Sequence, residues 1–600
     1  MEKKLETMRH SMAHIMAAAV ARLYGDVKFG VGPAVDDGFY YDIDFGAQTI
    51  SDTDLPKIEK EMRKIIGQKL EFERSEMPID EAIDWAKKSG QVYKQELLED
   101  LGTKGTTSVK EEDLGDSVSE VTFYTVGDFT DLCRGPHLAN TGEAGVFKLT
   151  RVSGAYWRGD EKRPQMQRIY GVAFEADEQL QDYLTQQEEA KKRDHRKLGK
   201  ELELFMFHET APGMPYWLPN GVIVYNELVN FWREEHQKRG YQEIVSPILN
   251  KQELYQTSGH FDHYWDDMFA TEKNEDGEVY GIKAMNCPNA MVVFGSKPRS
   301  YRDLPLRLSD TDTLHRNELS GTLNGLLRVR EFRQDDAHIY VTEKQIKEEI
   351  ERIFGIVERF YSIFDMSYSF RLGTRPEKFM GEAKLWDKAE ASLKEILEGS
   401  NREYFIEDGD GAFYGPKIDI LMKDVLGREW QMGTIQLDFQ QPLRFKLKYI
   451  DKDGSEKTPI CIHRVIYGSM ERFIGILIEH CAGKFPVWLS PEQLRVIKVK
   501  DDPKVDELCA KIMDLAQEYG VRATLDDSSN SVGKKIRSAE TWKVPYSVVV
   551  GDKESESGKL PLRIRGDLGA DEAVEHVYAP EQLMESIANE AKERVSRSSL

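Results

Sequence analysis

Met8, Met12, Ile15, Met16 and Val20 recur at helical spacing near the start of the chain. They predict an amphipathic helix with one buried face. A polar, glycine-containing stretch around 100–120 predicts a loop. Residues 177–203 are dense in Glu, Gln, Lys and Arg, with Leu180, Tyr183, Leu184, Leu198 and Leu202 as sparse apolar points, and predict a solvated connecting helix. The long segment 204–488 mixes helical stretches such as 225–237 with β-rich runs such as 336–342 and 430–439. Pro486 and Pro491 flank a linker. Beyond it, strands at 494–500 and 546–550 alternate with helices near 504–519 and 532–542 and a last helix from about Pro580, the pattern of a small α/β domain. The expected division is 1–176, 177–203, 204–488 and 491–600.

Composition narrows the class without naming a function. A chain of 600 residues is long enough for several cores, and 40% apolar content is ordinary for buried interiors. No apolar run reaches the ~18–20 residues of a membrane span, so no membrane partner is expected. The start MEKKLETMRH lacks a basic segment followed by an apolar one, so no secretion signal is expected either. Five cysteines lie far apart, which is no disulfide framework, and a reducing cytoplasm is the expected compartment. A net charge of −23 argues against a protein that coats nucleic acid indiscriminately. A local basic groove for RNA remains compatible with it, because distant charges are screened within ~8 Å.

Two segments carry chemistry. His315-Arg316-Asn317-Glu318, a polar turn and Arg328-Val329-Arg330-Glu331-Phe332 predict a strand carrying Arg316, a loop and a second strand. Paired guanidiniums suit phosphate and Phe332 offers a flat face for a base, although a surface hairpin with ordinary charges fits as well. Downstream, Ile462-His463-Arg464 precedes Gly468-Ser469-Met470-Glu471-Arg472-Phe473 in an apolar helical run. A buried Arg472 needs either an anion or a structural ion pair.

Pro247, Arg316 with Glu318, and Gly468 with Arg472 resemble the three signature motifs of class II aminoacyl-tRNA synthetases. Ala155-Tyr156-Trp157-Arg158-Gly159, Asn286-Cys287-Pro288, Gln334-Asp335-Asp336-Ala337-His338, Tyr414-Gly415-Pro416-Lys417 and Ile462-His463-Arg464 are similar, in order and spacing, to threonyl-tRNA synthetases over nearly the whole chain. The resemblance implies an α/β multidomain protein: an α+β editing domain, a class II catalytic domain on an antiparallel sheet and a small α/β anticodon-binding domain. It implies ATP with Mg2+, L-threonine and tRNA(Thr) as partners rather than DNA, and a homodimer paired through 241–247. In the family's roles, Arg316 holds the α-phosphate and the attacked carboxylate, and Arg328 the distal phosphates. Phe332 and Arg472 enclose adenine, Glu318 helps read its edge, and Gln431 and Gln436 contact the nucleotide and the tRNA terminus.

Cys287, His338 and His463 are separated by 51 and 125 residues, and spacing alone does not make them a metal site. The resemblance makes them ligands of one zinc ion that selects threonine through its hydroxyl, with Asp336 accepting from the amino group and Met285 and Tyr414 lining the pocket. Serine shares the hydroxyl, and one missing carbon is worth only ~1–3 kcal/mol, so a second sieve is expected. His10 and His14 share a helix face, and Asp131-Leu132-Cys133-Arg134-Gly135-Pro136-His137 supplies a second cluster. The four groups His10, His14, Cys133 and His137 are chemically compatible with tetrahedral zinc. The resemblance instead implies a metal-free cleft that hydrolyses Ser-tRNA, with Asp131 orienting the cluster. In the last domain, Asn530, Glu554 and Arg563 resemble anticodon-reading positions, with Lys534, Lys535, Arg537 and Arg565 as a basic edge.

Several positions depart from the family pattern. The first helix starts almost at Met1, so the small ubiquitin-like domain common before the editing domain is expected to be absent. Asn289-Ala290 stand for a frequent Gly-His, Asn324 for a frequent His, and Asp310-Thr311-Asp312 for a frequent Glu-Phe-Gly. None touches the implied zinc ligands, Arg316 or Arg472. A prolyl or seryl enzyme would lack the Cys287, His338 and His463 set, and a silent RNA-binding paralogue would tend to lose the motif arginines.

Overall fold

A computed structural model describes residues 2–107, 115, 117–160, 162–425, 427–569 and 576–600. The chain divides into two compact units, Met1–Glu188 and Glu189–Leu600.

The first unit is α+β. Its opening helix, Glu2–Tyr24, buries Met8, Met12, Ile15, Met16 and Val20, the residues of the apolar stripe. Ala13, Ala17, Ala18 and Ala19 are buried too, so the covered face is wider than the stripe. The helix packs on an antiparallel sheet in the order Lys28–Phe29, Gly38–Asp44, Gln165–Phe174, Val146–Tyr156. A second sheet joins Phe72–Pro78, Glu120–Val126 and Phe129–Leu132. The polar stretch expected as a loop over 100–120 is shorter than that. Helix Val92–Lys104 occupies its first residues, a left-handed Gly105 ends the helix, and 108–114 and 116 lie outside the described residues.

The connecting segment is two helices rather than one, Asp177–Arg193 and His195–Glu201. Asp194 breaks it. Its backbone leaves the helical region and its carboxylate accepts from the Arg196 N–H at 2.8 Å, a side-chain cap that ends one helix and starts the next.

The second unit is built on an eight-stranded sheet. Its order is Gln242–Glu243, Leu306–Asp310, Asp336–Val341, Ile460–Val465, Glu429–Asp438, Lys417–Lys423, Ser367–Gly373, Tyr404–Glu407. All neighbours are antiparallel except the two outermost pairs. Alternation divides the strands between two faces. Ile339, Val341, Ile435, Leu437 and Ile462 enter one large core with helices Pro219–Lys238, Ile346–Ser362, Ala383–Gly399 and Met470–His480. The intervening Asp336, His338, Gln436 and His463 line a cavity instead. The helix read at 225–237 starts earlier because Pro219 sits in its first turn, where the missing N–H costs nothing.

The last residues of this unit form a five-stranded sheet, Ala523–Asp526, Leu494–Lys498, Tyr546–Val550, Leu560–Ile564, Val577–Tyr578. The first three strands are parallel and the rest antiparallel. Helices Pro503–Tyr519 and Pro580–Glu593 share its core.

In the large core, Phe360 is fully buried and stacks on Tyr467 with ring centroids 4.7 Å apart. Phe360→Ala is expected to destabilise the second unit by about 3–5 kcal/mol, seen as a lower urea midpoint.

Candidate active sites

In the second unit the register sets His338 directly opposite His463, and His463 opposite Gln436. The two imidazoles meet edge to face with centroids 4.9 Å apart. Cys287 arrives from elsewhere, as the first residue of helix Cys287–Phe294. One potential ligand atom from each of Cys287, His338 and His463 lies within 4.8 Å of the others, and all three residues are buried. Burial pushes the Cys287 thiol well up, helped by Asp336 and Asp438, and pushes His338 down to about 4. Nδ1 of His338 has no hydrogen-bond partner among the described residues. The Asp438 carboxylate pairs with Nε2 of His463 at 2.9 Å, the kind of outer partner that metal-ligating histidines have. A buried thiol, an orphaned imidazole nitrogen and a carboxylate-backed imidazole form a donor set that fits a zinc ion.

A cavity of about 300 Å³ opens beside these three residues, with Met285, Asp336 and Tyr414 in its wall. Asp336 accepts from Asn286 Nδ2 at 3.1 Å, and the Tyr414 hydroxyl donates to Gln436. His260 also lines it, with Nε2 3.8 Å from the Cys287 sulfur. Sequence reasoning missed His260, which lies outside every motif, and Asp438, whose strand position alone marks it.

A neighbouring cavity of about 340 Å³ collects Arg316, Glu318, Arg328, Phe332, Gln431 and Arg472. Arg316 and Gln436 line both cavities, so the two are contiguous. Arg316 is not on a strand. The ladder pairs Thr313–His315 with Glu331–Arg333 and ends one residue before it, and Nε of Arg316 donates to the Ala284 carbonyl at 3.3 Å. Its guanidinium lies 5.0 Å from the centre of the Phe332 ring. Arg328 is paired with Glu318 at 2.7 Å. Arg472 donates from Nε to the Leu327 carbonyl at 3.0 Å, and from Nη1 to that of Gln431 at 3.3 Å. Burial, then Arg328 and Arg316, lower the Arg472 pKa, so the cavity gathers positive charge that an anion would relieve. The Gln431 side chain is turned to Asp419, to which it donates at 2.8 Å.

In the first unit the sulfur of Cys133 lies 3.2 Å from Nε2 of His10 and 3.3 Å from Nε2 of His137. His14 completes a group whose ligand atoms are all within 4.8 Å of one another. His137 is held by Ser11 Oγ at 3.1 Å and stacks on Phe72. Burial lowers all three histidines, His137 to about 2, and raises Cys133 to about 11, so the cluster is neutral at pH 7. Asp131 is buried behind it. Its oxygens take Lys94 Nζ at 2.6 Å and the Tyr41 hydroxyl, and His14 Nε2 is 3.9 Å away. Lys94 and Tyr41 escaped sequence reasoning, since a lysine in a polar helix and a tyrosine in an apolar strand give no local signal. The cluster opens on a cavity of about 470 Å³.

The residues read as an anticodon edge separate. Lys535 is buried and donates to the carbonyls of Lys498 at 2.8 Å and Asp526 at 3.1 Å, so it ties the sheet together and does not belong to a basic edge. The Glu554 carboxylate caps its own helix through the Gly551 N–H at 2.9 Å. Asn530 accepts from Lys534 at 2.9 Å, and Arg537 is exposed on the same helix. Arg563 and Arg565 line a separate cavity of about 450 Å³ with Lys484 and Lys543.

Comparison with known proteins places these features. The tRNA synthetase class II core domain (G, H, P, S and T) matches residues 269–481. The threonyl and alanyl tRNA synthetase second additional domain matches 121–170, and the anticodon binding domain 493–590. The chain is 49% identical to the threonine–tRNA ligase of Clostridium tetani over 95% of its own length and 86% of that protein's. It is 50% identical to that of Caldanaerobacter subterraneus subsp. tengcongensis over 93% and 84%. The crystal structure of the RNA binding domain of threonyl-tRNA synthetase from Cryptosporidium parvum is 39% identical, with a TM-score of 0.63, covering 68% of this chain and 99% of that one. Half of the residues are thus shared along nearly the whole chain, across all three kinds of domain, and the chain belongs to the threonyl-tRNA synthetase family of class II.

Proposed function

We propose that the second unit activates threonine with ATP and esterifies it to tRNA(Thr), and that the first unit hydrolyses mischarged Ser-tRNA(Thr). The observation that carries this reading is the continuity of two cavities through Arg316, one ending on Cys287, His338 and His463 and the other on Arg328 and Arg472.

Arg316 holds the α-phosphate and the attacked carboxylate at that junction. Negative charge builds there during in-line displacement, and the Arg316 guanidinium stabilises it. Arg328 exchanges Glu318 for the distal phosphates, which arrive with Mg2+. Phe332 and Arg472 enclose adenine once Arg316 leaves the ring for the phosphate. Glu318 helps read the base edge, and Gln431 and Gln436 contact the nucleotide and the tRNA terminus. Cys287, His338 and His463 would hold zinc, which would supply a Lewis acid that recognises the amino and hydroxyl groups of threonine. Asp336 accepts from the amino group, and Met285 and Tyr414 close the pocket around the methyl. A site built to use a hydroxyl rejects valine by ~10⁴–10⁵.

Serine passes that test and is removed in the first unit. One of the neutral histidines that line the cavity, His10 or His14, positions a water against the ester, and His137, held by Ser11 and Cys133, buttresses the cluster. Asp131, fixed by Lys94 and Tyr41, sets the orientation of His14. This cleft works without metal, so the chain carries one zinc ion. Anticodon bases are read by Asn530, Glu554 and Arg563, with Glu554 giving up its cap. The editing, connecting, catalytic and anticodon-binding segments are 1–176, 177–203, 204–488 and 491–600. A homodimer forms over the 241–247 segment, where Val245 is 84% exposed and Ile248 and Leu249 continue the apolar surface. No helix among the described residues is long and apolar enough to cross a membrane.

Cys287→Ser is expected to take zinc from one per chain to none, measured by atomic emission. Threonine-dependent ATP–pyrophosphate exchange should fall at least about 100-fold, since even outer partners of a metal site cost about 10–100-fold. Zinc retained in the variant, or full exchange without it, sinks the assignment. His10→Ala is expected to charge threonine normally and to accumulate Ser-tRNA(Thr). Normal clearance of Ser-tRNA(Thr) by that variant would remove the editing role from this cleft.

A further inference from the structure

We propose that His195, in the connecting segment, is a positioning residue for the nucleotide end of the catalytic site. The inference rests on the reading of Arg328 and Arg472 as ATP-binding residues.

His195 is buried at the start of helix His195–Glu201. Its Nε2 accepts from the Leu326 N–H at 3.1 Å. A backbone N–H can only donate, so Nε2 is unprotonated and the ring proton is on Nδ1. Nδ1 donates to Glu479 Oε1 at 2.7 Å, and the His195 backbone N–H reaches the same oxygen at 3.2 Å. The other Glu479 oxygen is taken by Arg428. The tautomer of His195 is therefore set by its neighbours, with both nitrogens in use.

Leu326 belongs to the short turn Gly325–Leu327 that immediately precedes Arg328. The next carbonyl in that turn, Leu327, receives Nε of Arg472 at 3.0 Å. Arg472 and Glu479 sit on one helix, Met470–His480, seven residues and so two turns apart. The contacts close a ring: from the helix through Glu479 to His195, to the Leu326 amide, through the turn to the Leu327 carbonyl, and through Arg472 back to the helix. Two glycines make room for it. Gly325 has a positive φ of 50°, and a Cβ there would overlap Nε2 of His195. A Cβ on Gly475 would come within 3.1 Å of Leu326 Cβ.

Asp194, His195 and Glu479 also bring ligand atoms within 4.8 Å of one another. Both imidazole nitrogens are engaged, and the Asp194 carboxylate is spent on the Arg196 backbone and guanidinium. The group is a hydrogen-bond relay rather than a metal site. Its effect is to hold the backbone from which Arg328 projects and the carbonyl that aims Arg472. Threonine binding, at the other cavity, does not depend on it.

The test uses the full-length protein in ATP–pyrophosphate exchange. His195→Asn keeps a donor near the Nδ1 position and loses the acceptor for Leu326, whereas His195→Gln keeps an acceptor near Nε2. With His195→Asn, KM for ATP is expected to rise about tenfold, the size of one lost hydrogen bond of about 1.4 kcal/mol. KM for threonine should stay within about twofold, and His195→Gln should recover most of the ATP effect. Gly325→Ala attacks the same contact from the loop side and should mimic His195→Asn. Equal KM values for the Asn and Gln variants, or a rise shared by ATP and threonine, would mean that the residue only packs, and would overturn the proposal. Arg472→Lys is the control. If it raises KM for ATP and the His195 variants do not, this inference alone fails; if it leaves KM for ATP unchanged, the reading of the ATP cavity fails with it.

Discussion

Strand register in the eight-stranded sheet is the constraint on which the catalytic site depends. His338 opposite His463, and His463 opposite Gln436, put donor groups from three adjacent strands on one face. The residues between them, Ile339, Ile462, Ile435 and Leu437, fill the core on the other face. A slip of one residue would exchange the two sets, sending imidazoles into the core and isoleucines into the cavity. Register is therefore protected by the same apolar burial that stabilises the unit. The sheet sets the floor shared by the two cavities, and helix Cys287–Phe294, the turn before Arg328 and helix Met470–His480 supply the remaining walls.

The two Cys and His clusters are alike in composition and unlike in surroundings. In the second unit Asp438 backs His463, and one nitrogen of His338 has no partner among the described residues, so the donor set fits a cation. In the first unit the nearby carboxylate, Asp131, is taken by Lys94 and Tyr41, Cys133 meets His10 and His137, and Nδ1 of His14 has no partner among the described residues. An unpartnered imidazole nitrogen occurs in both clusters, and what differs is the partner of the nearest carboxylate, an imidazole in one unit and a lysine in the other.

The cavity lined by Arg316, Arg328 and Arg472 gathers positive charge. Arg328 and Arg316 lie close enough to Arg472 to help burial lower its pKa, and each of the three is held by a substitute: a ring face, Glu318, or backbone carbonyls. Arg330 is parked on the Glu318 carbonyl at 2.8 Å. Substitutes of this kind keep the guanidiniums ordered.

Much of the fold was legible in the residue pattern. The stripe of the first helix and the strand–helix alternation after Pro491 appear where periodicity put them, because burial on one face leaves a local record. The resemblance in the motifs supplied the candidate ligands and arginines, which the structure brings together. Other features leave no local record. The break at Asp194 depends on one side-chain cap inside a uniformly charged run. The exclusion of Lys535 from any basic edge depends on two carbonyls from other strands. Lys94 and Tyr41 reach Asp131, Asp438 reaches His463 and His260 reaches Cys287 only because the fold joins positions distant in the chain. The sequence by itself determined the elements, the residue types and the family; the tertiary structure decided which of those residues share a cavity, because strand order and register join positions that no local spacing relates.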